Sequence, residues 1–211
     1  MDAQVYMYHN QRVVAEHFDK QMFDKQECII AIGQGSEAAL EQLYSEFAER
    51  VFNTLISYTK NEEDAEELLQ DVFVTIYNSA GSFQFNSSLS TWIYRIAVNK
   101  ALDYLRKKKT RKRWGIFTSL YVQDSAELKY ESTDFVHPGV QMENKENAKL
   151  LFKAIDKLPE NQKTAYILTQ IEGLPQKEVA MIMENSQKSV EALVKRARLN
   201  LKKELEKYFP D

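Results

Sequence analysis

From Glu37 to Tyr58, apolar side chains return every three or four residues at Leu40, Leu43, Tyr44, Phe47, Val51 and Leu55, the single stripe of an amphipathic helix. A polar break at 60–64 separates this helix from a second, in which Leu68, Leu69, Val72, Phe73 and Ile76 repeat the pattern from Ala65 onward. Asn61 or Asp64 is placed to cap its start. The stretch 79–90 is a loop by composition, and Ser90 or Thr91 is the expected cap of a third helix. That helix turns Ile93, Ile96, Ala97, Ala101, Tyr104 and Leu105 inward, with Trp92, Arg95, Asn99, Asp103 and Arg106 on another face. Three helices with short connections predict a compact bundle.

No period is sustained from Lys107 to about Glu143, where Gly115, Pro138 and Gly139 fall. This segment reads as a linker, basic at its start and mostly acidic after Gln123. A second helical block opens near Asn144 with Leu150, Leu151, Ala154, Ile155 and Leu158 on one side, and Pro159 ends its first helix. Segments at 162–171, 175–183 and 187–209 follow. Val179, Ala180 and Ile182 face inward from one short helix, and Val190, Leu193, Val194 and Ala197 anchor the next. Between them Glu184, Asn185 and Ser186 form a turn, with Asn185 suited to left-handed geometry and Ser186 to an N-cap. The pattern is a helix-turn-helix, whose second helix enters the major groove of DNA.

Composition agrees with an all-α chain: six glycines and four prolines in 211 residues leave little for strands and tight turns. The single cysteine, Cys28, excludes an internal disulfide. The N-terminal residues lack a signal-peptide pattern, and no apolar run approaches the roughly 20 residues needed to span a bilayer. A soluble, cytoplasmic protein without membrane contact is the expectation. The net charge of −3 argues against indiscriminate coating of nucleic acid, but the charge is segregated. Residues 61–71 carry six acidic side chains and no basic one, and residues 106–113 carry seven basic and no acidic one. Two faces for two partners are implied.

The candidate chemistry is recognition rather than catalysis. Phe83, Phe85, Trp92 and Tyr94 flank a polar loop, where rings can stack on unpaired bases beside a basic tail that neutralises phosphates. Each ring alone is as readily a core residue. Glu63, Glu67 and Asp71 share a helix face, but no histidine is near on that helix, and His9, His17 and His137 have no ligand spacing. Neither a nucleophile motif nor a glycine-rich phosphate loop is present. No cofactor, metal site or enzymatic activity is expected.

Two motif sets in order resemble bacterial RNA polymerase sigma factors of the extracytoplasmic-function group. DAEELLQDVFVTIY (64–77) is similar to the helix that docks on the polymerase clamp, and FQFNSSLSTWIYRIAVNKALDYLRKKK (83–109) to the promoter-melting segment. The Thr-Trp, Arg-Ile-Ala and Asn-x-x-x-Asp-x-x-Arg signatures are all present. LPENQKTAYILTQIEGLPQKEVAMIMENSQKSVEALVKRARLNLKK (158–203) resembles the region that reads the upstream promoter element. The resemblance implies two small helical domains: region two within 25–110 and region four within 147–211, joined by a flexible linker at 111–146. Residues 1–24 form an extension outside it.

On that resemblance, an exposed face of Asp64, Glu67, Leu68, Asp71 and Val72 would bind core RNA polymerase. Phe83, Phe85, Asn86, Ser87 and Ser88 would take a base flipped from the −10 strand, and Trp92, Arg95, Asn99 and Arg106 would hold the junction between duplex and single strand. Flipping costs a few kcal/mol, which stacking and edge hydrogen bonds offset. Gln176, Lys177, Ser186, Gln187, Lys188, Ser189, Glu191, Ala192, Lys195 and Arg196 would meet the −35 duplex. An anti-sigma factor is the further partner implied. Glu191 and Leu193 stand where many relatives carry a basic residue, and Pro175 stands where a serine cap is frequent. A linker of about 35 residues has a coil span of roughly 30–35 Å and an extended length of about 115 Å, so bridging two DNA turns, roughly 70 Å, stretches it. Asp124, Glu127, Glu131 and Asp134 could there mimic nucleic acid. The competing reading is a stand-alone helix-turn-helix regulator with an N-terminal interaction domain; a carboxylate metalloenzyme is a third.

Overall fold

The computed structural model describes residues 25–121 and 145–208, with side chains over 25–110 and 146–208. The extension 1–24 and the acidic linker residues Asp124, Glu127, Glu131 and Asp134 lie outside the described residues. The first half comprises α1 (Lys25–Gly33), α2 (Glu37–Thr59), α3 (Glu62–Ser79), a 3-10 turn at Ala80–Ser82 and α4 (Leu89–Tyr121). The second comprises α5 (Lys145–Ile155), α6 (Glu160–Tyr166), a π-helical turn at Ile167–Ile171, α7 (Gln176–Ile182) and α8 (Gln187–Leu205). Among the described residues there is no strand.

Local chemistry sets most boundaries. Ser36, Asn61 and Ser186 each cap a helix by accepting the backbone N–H three residues on, at 3.3, 2.7 and 3.2 Å. Such a bond is typically worth about 1 kcal/mol. The cap of α4 is Ser88, whose Oγ accepts from the Thr91 N–H at 3.0 Å and bonds the Thr91 hydroxyl at 2.8 Å. The helix therefore starts earlier than a cap at Ser90 or Thr91 would place it. It also continues to Tyr121, past the Arg111 start expected for the linker. In the helix-turn-helix, Glu184 rather than Asn185 takes the left-handed conformation, at φ 52°. Asn185 instead donates its N–H back to Ala180 O at 2.8 Å, closing the end of α7.

The predicted stripes build the core. Leu43, Phe47, Val51 and Leu55 of α2 meet Leu69, Val72 and Ile76 of α3 and Ile93, Ala97 and Ala101 of α4. Phe152, Ile155, Leu158, Ile167, Ala197 and Leu201 of the second half belong to this same cluster. A second cluster joins Tyr94 and Val98 of α4 to Ala165, Leu168, Leu174, Val179, Ile182, Val190 and Val194. The two halves are thus packed against one another.

Gly33 ends α1 against the 3-10 turn. A Cβ there would lie 2.9 Å from Gly81 Cα and 3.0 Å from Gly81 N, both backbone atoms with little freedom to withdraw. Gly33→Ala is expected to destabilise the first half by about 1–3 kcal/mol, the usual cost of overpacking, measured by urea unfolding. A change within about 0.5 kcal/mol, as at unconstrained surface positions, would show that the approach is not tight.

Candidate nucleic-acid interface

The loop before α4 is a ladder of rings. Phe83 stacks on Trp92 with centroids 4.6 Å apart, and Phe85 meets Phe83 edge-on at 4.8 Å. Phe83 and Trp92 are half-buried and packed against the core, while Phe85 is 42 % exposed. Phe85 is also held at φ 56°, a left-handed conformation that costs a bulky side chain of order 1–3 kcal/mol and gathers at functional sites. Asn86 and Ser88 lie exposed beside it, with Ser87 half-buried, and the Asn86 amide donates to Gln84 Oε1 at 3.2 Å. The outermost ring is thus strained and open to solvent, backed by two rings that lock its base. Tyr94 is not part of this ladder; it is fully buried in the second cluster.

Along α4, Asn99 and Arg106 are exposed and Arg95 is half-buried. Arg106 pairs with Asp103 at 3.0 Å and with Glu160 of the second half at 3.3 Å. The basic run reaches solvent through Lys107, Lys108 and Lys109.

The acidic helix differs from the sequence expectation. Val72 is fully buried and Leu68 nearly so, because both serve the core stripe, so neither belongs to an exposed face. Asp64 is tied down: the Tyr104 hydroxyl donates to it, and Lys108, 3.5 Å from it, also donates to Tyr104 at 2.6 Å. Glu67 and Asp71 are exposed, with Lys100 3.6 Å from Asp71. Sequence reasoning missed Val74 and Tyr77, 58 % and 37 % exposed. Their signal lay in the spacing, since Glu67, Asp71 and Val74 fall four and three residues apart on one face.

On α8, Gln187, Lys188, Glu191, Lys195 and Arg196 are exposed, Ser189 and Ala192 half-buried, and Ser186 is an exposed cap. Gln187 donates to Glu191 at 3.1 Å. From α7, Lys177 is exposed, and Gln176 lines a shallow groove with Glu191, Lys195, Arg198, Leu199 and Lys202. Most of the polar side chains expected to meet the duplex are thus gathered on α8, with Gln176 and Lys177 on α7.

The sequence matches Sigma-70 region 2 over residues 43–111 and Sigma-70, region 4 over residues 148–201. It is 31 % identical to the ECF RNA polymerase sigma-E factor of Haemophilus influenzae over 79 % of this chain and 87 % of that protein. The chain belongs to the extracytoplasmic-function sigma factors of the sigma-70 family. RNA polymerase sigma factor YlaC of Bacillus subtilis is 28 % identical over 80 % of this chain and 93 % of that one. The fold is that of CnrH, solved in complex with the cytosolic domain of CnrY: TM-score 0.61 and 21 % identity, over 86 % of this sigma factor and 96 % of that chain. Sigma factor RpoE of Bartonella quintana, solved with the anti-sigma factor NepR, gives 0.59 and 22 %, over 79 % and 96 %. Among the described residues no helix of the sigma factor is long and apolar enough to cross a membrane.

The contact between the two regions of the sigma factor is polar at its edges. Arg95 Nη2 donates to Met181 O at 2.6 Å, and Glu184 lies 3.7 Å away. Lys60 pairs with Asp156 and donates to Phe152 O at 3.2 Å, and Lys163 donates to Asp156 at 2.8 Å and sits over the Tyr58 ring. Five buried side-chain atoms among the described residues lack a hydrogen-bond partner: Tyr58 Oη, Tyr94 Oη, Arg95 Nε, Thr164 Oγ1 and Glu172 Oε1. All five are at this seam. Tyr58 faces Thr164, and Glu172 and Tyr94 face Thr54 and Arg50. Each such group costs about 1–3 kcal/mol.

Burial pushes the Glu172 carboxyl up to about 7, against the opposing pull of Thr54 and the Arg50 guanidinium. Burial pushes Lys60 down to about 7, reinforced by Lys163, and Lys163 down to about 8, reinforced by Lys109. Asp156, touching both lysines, acts against those two shifts. Glu172 holds its proton more tightly when packed, so its contribution to the packed state is present at low pH and is lost as pH rises from 4.5 to about 7. The lysines hold theirs less tightly, so their contribution grows with pH from about 7 towards 10.5. Stability against urea is expected to be lowest near neutrality, and Glu172→Gln to remove the decline on its acid side. A wild-type profile that rises from pH 5 to 7 would contradict these assignments.

Proposed function

We propose that this sigma factor divides promoter engagement among three surfaces. Sigma factors are non-enzymatic subunits that give RNA polymerase its promoter specificity. In this chain Glu67 and Asp71, joined by Val74 and Tyr77 and with Asp64 at the helix start, form the face for core polymerase. Its acidic groups supply charge complementarity and its two apolar side chains supply area. The loop from Phe83 to Ser88 takes the −10 base: Phe85 is the stacking ring, Phe83 and Trp92 support it, and Asn86 and Ser87 offer hydrogen bonds to the base edge. Arg95, Asn99 and Arg106 hold the junction.

The helix-turn-helix reads the −35 duplex through Gln187 and Glu191, with Lys188 and Lys195 at its phosphates and Ser186, Ser189 and Ala192 close to the backbone. Arg196, Gln176 and Lys177 lie at its margins, where phosphate contacts position the helix. Glu191 accepts hydrogen bonds, which suits the exposed amine of a cytosine. Strand opening needs no nucleotide hydrolysis in this scheme; binding energy at the flipped base and junction drives it. The protein acts in the cytoplasm, where polymerase is, and an anti-sigma factor is its regulatory partner.

The observation that carries this reading is the strained, solvent-facing Phe85 set edge-on against the stacked Phe83–Trp92 pair at the head of the arginine-bearing helix. Transcription in vitro with purified core polymerase on genomic fragments tests it. Defined, chain-dependent start sites are expected, whereas starts no different from core alone would remove the reading and favour a stand-alone regulator. Within that assay, Trp92→Ala is expected to impair strand opening more than closed-complex formation, and equal losses would contradict its supporting role. Lys188→Ala and Lys195→Ala are each expected to weaken −35 duplex binding and reduce the salt slope by about 1. An unchanged slope would mean that these lysines do not meet phosphates.

A further inference from the structure

On α8 two exposed side chains one turn apart are joined to each other. Gln187 Nε2 donates to Glu191 Oε1 at 3.1 Å. An ionised carboxylate only accepts, so the bond fixes which end of the amide faces Glu191. It engages one of the two N–H groups of Gln187 and one of the two oxygens of Glu191. Gln187 therefore keeps an acceptor and a donor, while Glu191 keeps an acceptor and no donor.

The helix beneath the pair is firmly held. Ser186 caps it by accepting the Ser189 N–H at 3.2 Å, and Val190 and Val194 are buried in the region-four core. Both side chains thus stand near the start of a helix whose entry and rotation are set, where a helix-turn-helix meets base edges. A carboxylate placed there is repelled by the surrounding phosphates. Lys188 and Lys195, three residues before Glu191 and four after it, are exposed to meet those phosphates.

The groups left free match two base edges and oppose the others. An acceptor alone suits cytosine, which offers its N4 amine to the major groove. Guanine N7 and O6 and thymine O4 are themselves acceptors, so a carboxylate against them leaves both sides without a donor. An acceptor beside a donor suits adenine, whose N6 amine and N7 are the complement. Side chains about one turn apart on a groove-reading helix meet successive bases.

We propose that Gln187 and Glu191 act as one reading unit, which sets the −35 specificity of this sigma factor to an adenine edge and a cytosine edge in successive base pairs. Gln187 reads the adenine and also positions the carboxylate over the cytosine. This rests on the −35 assignment of α8. Glu191 contributes chiefly by exclusion, since it penalises guanine and thymine more than it attracts cytosine.

The test uses the full chain with core polymerase on a promoter mapped by the transcription assay, its −35 element randomised and the polymerase-bound templates sequenced. In the wild type, adenine and cytosine are expected in successive base pairs, each about tenfold over the least favoured base, as one good base contact allows. Glu191→Gln is expected to exchange cytosine for adenine at its base pair, because an amide can donate to N7 where a carboxylate cannot, and to leave the neighbouring adenine in place. Gln187→Ala is expected to lose the adenine preference and also to relax the cytosine preference about threefold, the sign of coupling between the two side chains. Lys188→Ala is expected to weaken binding across all sequences and to move neither preference. A wild type that enriches other bases in place of this pair overturns the proposal. So does a cytosine preference unmoved by Glu191→Gln or by Gln187→Ala, and so does an equal shift from Lys188→Ala. Enrichment retained at the other −35 positions reports in each variant that region four is folded and docked. A wild type with no enrichment at any −35 position removes the −35 assignment itself and this proposal with it, so the two failures are told apart.

Discussion

One helix serves two cores, and the arrangement of the molecule follows from it. On α4, Ile93, Ala97 and Ala101 close the bundle of region two, while Tyr94 and Val98, one position along, enter region four. A side chain the size of Tyr94, buried completely, contributes up to about 3 kcal/mol. The same helix carries the Phe83–Trp92 stack at its head and the arginines along its flank. Packing of the two regions and placement of the aromatic stack and the arginines therefore depend on one element.

That sharing explains how the polar groups are distributed. The great majority of buried polar atoms in folded proteins are satisfied. Here Tyr58, Tyr94, Arg95, Thr164 and Glu172 each keep one atom unpartnered at the boundary. Charges sit around them in a half-compensated ring of Lys60, Asp156 and Lys163 on one side and Arg50 and Glu172 on the other. The π-helical turn at Ile167–Ile171 feeds this boundary, and such turns recur at functional positions because they widen the helix locally.

Much of this was legible from periodicity. The stripes of α2, α3 and α4 identify Leu43, Phe47, Val51, Ile76, Ile93 and Ala97, all fully buried or nearly so. The Ser186 cap and the apolar anchors of α8 were equally plain, because local rules fix them. What periodicity could not supply is partnership between distant segments. Val72 looked available for docking because a stripe wider than the bundle's own seam gives no sign of which edge is covered. Tyr94 looked like a loop aromatic for the converse reason: the apolar cluster that buries it is built mostly by region four, some seventy residues further along the chain. Arg95 read as a DNA contact, and nothing local announces that Met181 O lies within its reach. Glu184 took the left-handed position because the Asn185 N–H was needed to close α7, a choice that residue preference alone ranks the other way.

The central claim is that this chain opens promoter DNA by holding an extruded base at its aromatic loop. Permanganate reactivity of thymines across a mapped −10 element measures that event on the DNA itself. With core polymerase and the chain together, reactive thymines are predicted on the non-template strand, and Phe85→Ala is predicted to lose them while the −35 footprint persists. Reactivity equal to that with core alone, or undiminished by Phe85→Ala, would contradict the account.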